Sequence, residues 1–187
     1  MFRFMKTMAT RLLAAGALVA VAMTGVAMSA DSLTVGMTAP DFTLPSATKD
    51  SINRDGVTLS KEIAKGPILL AFYPADWSGG CTKEMCSFRD GFSDFEKLGV
   101  RIWAISGDYV YTHHAWAKDQ NFPFELLSDH DHAVAKRYGV YNPDSGMNIR
   151  SVFVVGKDGK LAYVDRNYSV ADDADFNRLK AELAEVE

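Results

Sequence analysis

One stretch limits what this chain can fold into. The apolar run Pro67-Ile68-Leu69-Leu70-Ala71 passes through Phe72-Tyr73-Pro74-Ala75-Asp76-Trp77-Ser78-Gly79-Gly80 into a helical pattern. The run has no polar alternation, so it reads as a strand buried on both faces, the kind a parallel sheet supplies. Beyond it Met85, Phe88, Phe92 and Phe95 recur at three- and four-residue steps, which predicts an amphipathic helix continuing to about Leu98-Gly99. Cys81 therefore falls at or near the first turn of a helix that directly follows a buried strand. Unpaired backbone N–H groups and the positive end of the helix dipole meet there and favour an anionic sulfur. Thiolates in such places are the reactive form. Taken alone, a cysteine here also fits a buried structural thiol.

A second cysteine narrows the choice. Cys86 lies five residues on, roughly 140° around a helix axis from Cys81. Cys81 shares the core-facing stripe of Met85, Phe88 and Phe92, while Cys86 falls with Asp90, Ser93 and Lys97 towards water. On an intact helix their Cα atoms stand roughly 8.6 Å apart. A disulfide needs about 4.4–6.8 Å. The pair can join only if the first turn unwinds, which Gly79-Gly80 just upstream makes easier. Two thiols that bond only through a rearrangement point to catalysis and away from stapling.

Pro74-x-x-x-Ser78-x-x-Cys81, preceded by Phe72-Tyr73 and followed by Thr82-Lys83-Glu84, resembles the active-site motif of the peroxiredoxins of the AhpC/TSA family. A second cysteine five residues on resembles the bacterioferritin comigratory protein (peroxiredoxin Q) branch. The likeness extends to Ala39-Pro40-Asp41-Phe42-Thr43-Leu44-Pro45, to Leu126-Leu127-Ser128-Asp129 with Ala135–Val140, and to Arg150–Val155 with Lys157-Asp158-Gly159. One departure is Gly79-Gly80, where the family usually carries bulkier residues such as Pro and Val.

The resemblance implies an α/β chain of thioredoxin-like fold, a central mixed β-sheet flanked by helices. It also implies a thiol-dependent peroxidase, with no cofactor and no metal. Cys81 would attack hydrogen peroxide or an alkyl hydroperoxide and become a sulfenic acid. Cys86 would resolve it to an intramolecular disulfide, and a thioredoxin-like dithiol would reduce that bond. By the same resemblance Ser78 would hydrogen-bond the peroxide, Pro74 would wall the pocket, Arg150 would lie over the thiolate, and Glu84 would orient Arg150. Read without the family, Ser78 is turn chemistry, Arg150 a surface ion-pair residue and Glu84 a solvated acid near a helix N-terminus.

Residues 1–30 differ from the rest. Arg3, Lys6 and Arg11 are the charged residues, Leu12 to Val26 is nearly all apolar, and Ala27-Met28-Ser29-Ala30 closes the segment with small residues. This reads as a secretory signal peptide ahead of a single domain at 31–187, placing the mature protein in the periplasm or outside the cell. The alternative is an uncleaved anchor holding it to the membrane and facing the periplasm. Without those three basic residues, 17 of the 20 Lys and Arg remain against 24 Asp and Glu, a net charge of −7. That excess argues against nucleic acid or an anionic membrane as partner. The expected assembly is a monomer or weak homodimer. Two cysteines in an exported chain would by default form a structural disulfide, and the helix geometry above is the reason to read them otherwise.

Further along, Val100–Ser106 reads as a second buried strand, then a helix at 110–119, a short strand at Phe124–Leu127 and a helix at 131–138. Arg150–Val155 and Leu161–Asp165 read as a hairpin, and Phe176, Leu179, Leu183 and Val186 stripe a last helix. Residues 46–56 read as a surface loop. Trp77, Tyr73 and Phe72 read as wall and core around the thiol. His113, His114, His130 and His132 raise the alternative of a non-enzymatic copper- or zinc-binding export protein. His113 and His114 point to different helix faces, and Cys-x4-Cys is an unusual ligand spacing, which counts against it. A further alternative is an extracytoplasmic thiol–disulfide oxidoreductase on the same fold, which would usually carry Cys-x-x-Cys.

Overall fold

A computed structural model describes residues 33–169 and 173–184; the segment read as a signal peptide lies outside the described residues. The elements in order are β1 (Thr43–Ala47), β2 (Ile52–Thr58), α1 (Leu59–Glu62) with a 3-10 turn at Ile63–Lys65, and β3 (Ile68–Phe72). Then come α2 (Gly79–Asp90), α3 (Phe92–Lys97), β4 (Arg101–Ser106), α4 (Val110–Gln120), β5 (Glu125–Ser128) and α5 (Ala133–Arg137). A small ribbon of β6 (Tyr141–Asn142) and β7 (Met147–Asn148) leads to β8 (Ser151–Val155), β9 (Leu161–Asp165) and α6 (Asp173–Leu183).

Seven strands make one mixed sheet in the order β2-β1-β5-β4-β3-β8-β9. β3, β4 and β5 run parallel, whereas β8 is antiparallel to β3 and β1 is antiparallel to β5. This is the expected α/β arrangement, a central mixed sheet with helices on both faces. The apolar run at 68–72 is buried throughout, as a central strand covered twice must be. Leu69, Ala71 and Tyr73 face a core shared with α2, α3, α4 and α6. Ile68, Leu70 and Phe72 face a second core closed by Phe42, Leu59, Val134 and Tyr138. Each fully buried Ile or Leu of β3 contributes roughly 1.5–3 kcal/mol relative to an exposed one. That burial makes β3 a rigid base for the loop at its C-terminal end.

Two expectations need correction. The long helix is two helices: α2 stops at Gly91, with φ −90° and ψ 5°, and α3 starts directly after it. The Phe176 ring of α6 packs against this junction, where a Cβ on Gly91 would lie 2.7 Å from it. The 46–56 loop is largely the β1–β2 hairpin, whose exposed outer strand is held by pairs such as Ser46↔Asn53 and Ala47↔Ile52. Gly56 must adopt φ +86° there, with its amide on Asn53 Oδ1 and a Cβ excluded by the Leu44 carbonyl at 2.6 Å. Among the described residues no helix is long and apolar enough to cross a membrane.

Candidate active site

The loop from β3 to α2 is pinned from below by buried polar groups. Tyr73 Oη donates to Asp76 Oδ1 at 2.7 Å, and Asp76 Oδ2 lies 2.9 Å from His113 Nδ1 of α4. His113 Nε2 is 3.1 Å from the Leu127 carbonyl, which can only accept, so that nitrogen carries a hydrogen. The Asp76 amide donates to Asp108 Oδ2 at 2.9 Å. Burial, and next the Asp76 charge, push the Tyr73 phenol well above its usual range, keeping it a donor. Removing Asp76 would take the shared acceptor from Tyr73 Oη and His113 Nδ1, leaving only their own 3.4 Å contact, at about 1–3 kcal/mol. Asp76→Ala should therefore lower the thermal midpoint by several degrees, with Asp76→Asn losing less. An unchanged melting curve would show that the pair does not hold the loop.

Above that base the chain turns through Trp77, which sits at φ +62° and is 51% exposed. Trp77 is thus not part of the buried wall, unlike Phe72 and Tyr73, and its ring lies tilted against Trp116, 6.4 Å between ring centroids. A left-handed backbone in an aromatic residue costs on the order of 1–2 kcal/mol. Ser78 then caps α2, its extended backbone (φ −69°, ψ 143°) placing Oγ to accept from the Cys81 amide at 3.4 Å. Pro74 is half-buried in this loop and Ser78 is exposed.

Cys81 is the third residue of α2 and 1% exposed, so the sulfur lies where the helix amides point. Arg150 Nη2 stands 3.4 Å from Cys81 Sγ, and Arg150 Nη1 donates to Glu84 Oε2. Glu84 is buried one turn beyond Cys81, and its Oε1 has no hydrogen-bond partner. Arg150 reaches this place because β8 is antiparallel to β3: Ser151 pairs with Phe72, so the residue before β8 lies beside the end of β3. A Cβ on Gly80 would come within 3.4 Å of Arg150 Nη2, so this glycine leaves the guanidinium room beside the thiol. The arrangement offers a sulfur nucleophile, a positive charge facing it and a carboxylate that fixes that charge.

Cys86 lies on the same unbroken helix, half-buried, with its thiol donating to Gln120 Oε1 of α4 at 3.6 Å. Both cysteines are free thiols. The structure thus brings Cys81, Arg150, Glu84 and Ser78 together and keeps Cys86 on another side of α2. The Asp76–His113 pair went unread in the chain because the two stand 37 residues apart. The available signal was a histidine on the buried stripe of α4, with Val110, Trp116 and Ala117. The other histidines are engaged separately: His114 with the Thr48 carbonyl, His130 with that of Gly107, and His132 with Asn148 Oδ1. Among the described residues no three His, Cys, Asp or Glu side chains converge as metal ligands would.

The AhpC/TSA family model matches residues 35–164. Peroxiredoxin Q, chloroplastic, from Triticum aestivum is 41% identical over 114 residues, covering 60% of this chain and 52% of that protein. The putative peroxiredoxin bcp of Coxiella burnetii is 46% identical over 86 residues, 46% of this chain and 57% of that one. This chain spans about half the length of the curated relatives it matches. The crystal structure of peroxidoxin BcpB from Mycobacterium tuberculosis superposes with a TM-score of 0.72 at 32% identity, over 83% of this chain and 99% of that one. Reduced Plasmodium vivax 2-Cys peroxiredoxin superposes at 0.70 with 27% identity, over 81% of this chain and 96% of that one. The sheet and its helices are thus the thioredoxin-like fold expected from the chain.

Proposed function

The chain belongs to the AhpC/TSA family, and on that premise we propose that it is a cysteine-based peroxidase reducing hydrogen peroxide and alkyl hydroperoxides. The observation that carries this reading is the Arg150 guanidinium, 3.4 Å from Cys81 Sγ at a helix N-terminus and tied to buried Glu84. The Cys81 thiolate attacks one peroxide oxygen, the O–O bond breaks, and hydroxide or alkoxide leaves and is protonated to water or alcohol. Arg150 offsets the charge that spreads over the oxygens, as preorganised donors do. Glu84 keeps Arg150 aimed, Ser78 hydrogen-bonds the peroxide and Pro74 walls the approach.

The resulting sulfenic acid is resolved by Cys86 to a disulfide, and a thioredoxin-like dithiol restores both thiols. The five-residue step between the cysteines favours this over a thiol–disulfide oxidoreductase. In our reading residues 1–30, basic then apolar then small, direct the chain to the periplasm or beyond, and residues 31–187 act as one domain. It works there as a monomer or weak homodimer.

The test uses the resolving cysteine. Reduced wild-type protein should consume peroxide catalytically when a dithiol is supplied. Cys86→Ser should consume about one equivalent per chain and then stall, with Cys81 trapped as sulfenic acid or over-oxidised to sulfinic acid. Mass spectrometry of the product reads the added oxygens. A wild-type protein that leaves peroxide untouched overturns the proposal.

A further inference from the structure

Cys86 packs against the edge of the core, and its thiol faces a polar corner where α2 meets the end of α4. Its thiol donates to Gln120 Oε1 at 3.6 Å, and the Gln120 backbone carbonyl accepts from Arg89 Nη1 at 2.9 Å. One residue of α4 therefore holds both side chains. Arg89 lies three residues beyond Cys86 on the same helix, a spacing that makes side chains neighbours. Arg89 Nε binds Asp90 Oδ1 at 2.9 Å, and Gln120 Nε2 binds Asp119 Oδ2 at 2.6 Å. Lys83, one turn back on α2, is exposed. Lys83 has the same three-residue spacing from Cys86, but the cation bonded into this corner is Arg89, with Asp90 and Asp119 as the acids around it. The positive form of Arg89 is favoured first by its bond to Asp90, and also by the sulfur of Cys86 beside it.

The task of this corner rests on the peroxidase reading. After Cys81 is oxidised, the Cys86 thiolate attacks the sulfenic sulfur. The S–S bond forms, the S–O bond breaks, and hydroxide leaves with the proton that Cys86 gave up, as one water. No further oxidant is needed, because the peroxide has already oxidised Cys81. Gln120 Oε1 can accept only from the protonated thiol, whereas a guanidinium favours the thiolate. We infer that Arg89 and Gln120 are positioning residues for the resolving step, Gln120 holding the Cys86 side chain at this corner and Arg89 supporting the thiolate that attacks.

The sizes are set by two opposing effects. A thiolate stabilised by charge is more populated at neutral pH but less nucleophilic, with a Brønsted slope of about 0.4–0.5. Loss of the Arg89 charge should therefore slow resolution at pH 7 by about three- to tenfold and not more. Well above the titration midpoint the variant should match or exceed wild type.

Stopped-flow mixing of the reduced full chain with hydrogen peroxide separates the steps, tryptophan fluorescence following both phases and a dimedone trap counting sulfenic acid. Arg89→Gln should leave the first phase unchanged, slow the second at pH 7 and move its pH midpoint upward. Arg89→Lys should restore most of the rate. Gln120→Ala, which leaves the carbonyl under Arg89 in place, should move the midpoint to lower pH. An Arg89→Gln second phase equal to wild type at pH 7, or slowed equally at every pH, overturns the inference. So does a Gln120→Ala midpoint that is unchanged or higher. A wild-type protein with no first phase overturns the peroxidase reading, and this inference with it. A normal first phase with any of those second-phase results overturns the inference alone.

Discussion

Cys81→Ser should reduce peroxide consumption to the background of an enzyme-free solution while the protein remains folded. A serine hydroxyl is not ionised near neutral pH and does not become a sulfenic acid, so no covalent intermediate can form. The fold has little to lose, because the cap on α2 runs through the Cys81 amide and Ser78 Oγ, which the substitution leaves in place. Circular dichroism and a thermal melt close to wild type, beside an absent peroxide reaction, are the expected pair of results. A variant retaining more than a small fraction of the wild-type rate would sink the assignment of Cys81 as nucleophile.

Arg150→Ala should slow the reaction of Cys81 with peroxide by well over tenfold. A charge-assisted hydrogen bond contributes roughly 1.5–3 kcal/mol, and each 1.36 kcal/mol is a factor of ten in rate. This substitution also does something else: it leaves Glu84 buried without its cation, and breaking a buried ion pair costs about 3–5 kcal/mol of stability. The double variant Arg150→Ala/Glu84→Gln separates the two effects, since a neutral amide in the same place carries no unpaired charge. Its melting temperature should recover much of the loss while its rate with peroxide stays low. Stopped-flow kinetics showing a wild-type second-order rate in the single variant would return Arg150 to a purely structural role.

Much of this site could be read from the chain because its parts are local. A doubly buried strand, a turn rich in Pro, Ser and Gly, and an amphipathic helix follow one another within residues 67–90, and Cys81 falls where they meet. Arg150 was legible through the motif it belongs to, but its distance from the thiol was not, because that depends on the register Phe72↔Ser151. The helix break at Gly91 was hidden by an apolar period that continues across it, from Phe88 to Phe92 and Phe95. The Phe176 ring that packs against the junction lies 85 residues on, so spacing gives no sign of it. Strand β2 was hidden for the opposite reason: Asn53, Arg54 and Asp55 are exposed, so main-chain pairing to β1 holds an edge that shows no apolar alternation. Gln120 could not be linked to Cys86 from spacing alone, since α2 and α4 meet only after β4 is in the sheet.

The direction of β8 also bears on when the thiol acquires its chemistry. Cys81 and its helix lie in the first half of the chain, but the guanidinium that faces the sulfur comes 69 residues later. It arrives at the sulfur only once β8 has docked antiparallel along β3. Until then the cysteine has no cation beside it and Glu84 has no partner to hold. In a chain still folding, sensitivity to peroxide would be switched on by completion of the sheet. The rate of Cys81 oxidation would then double as a clock for the last strand to pair.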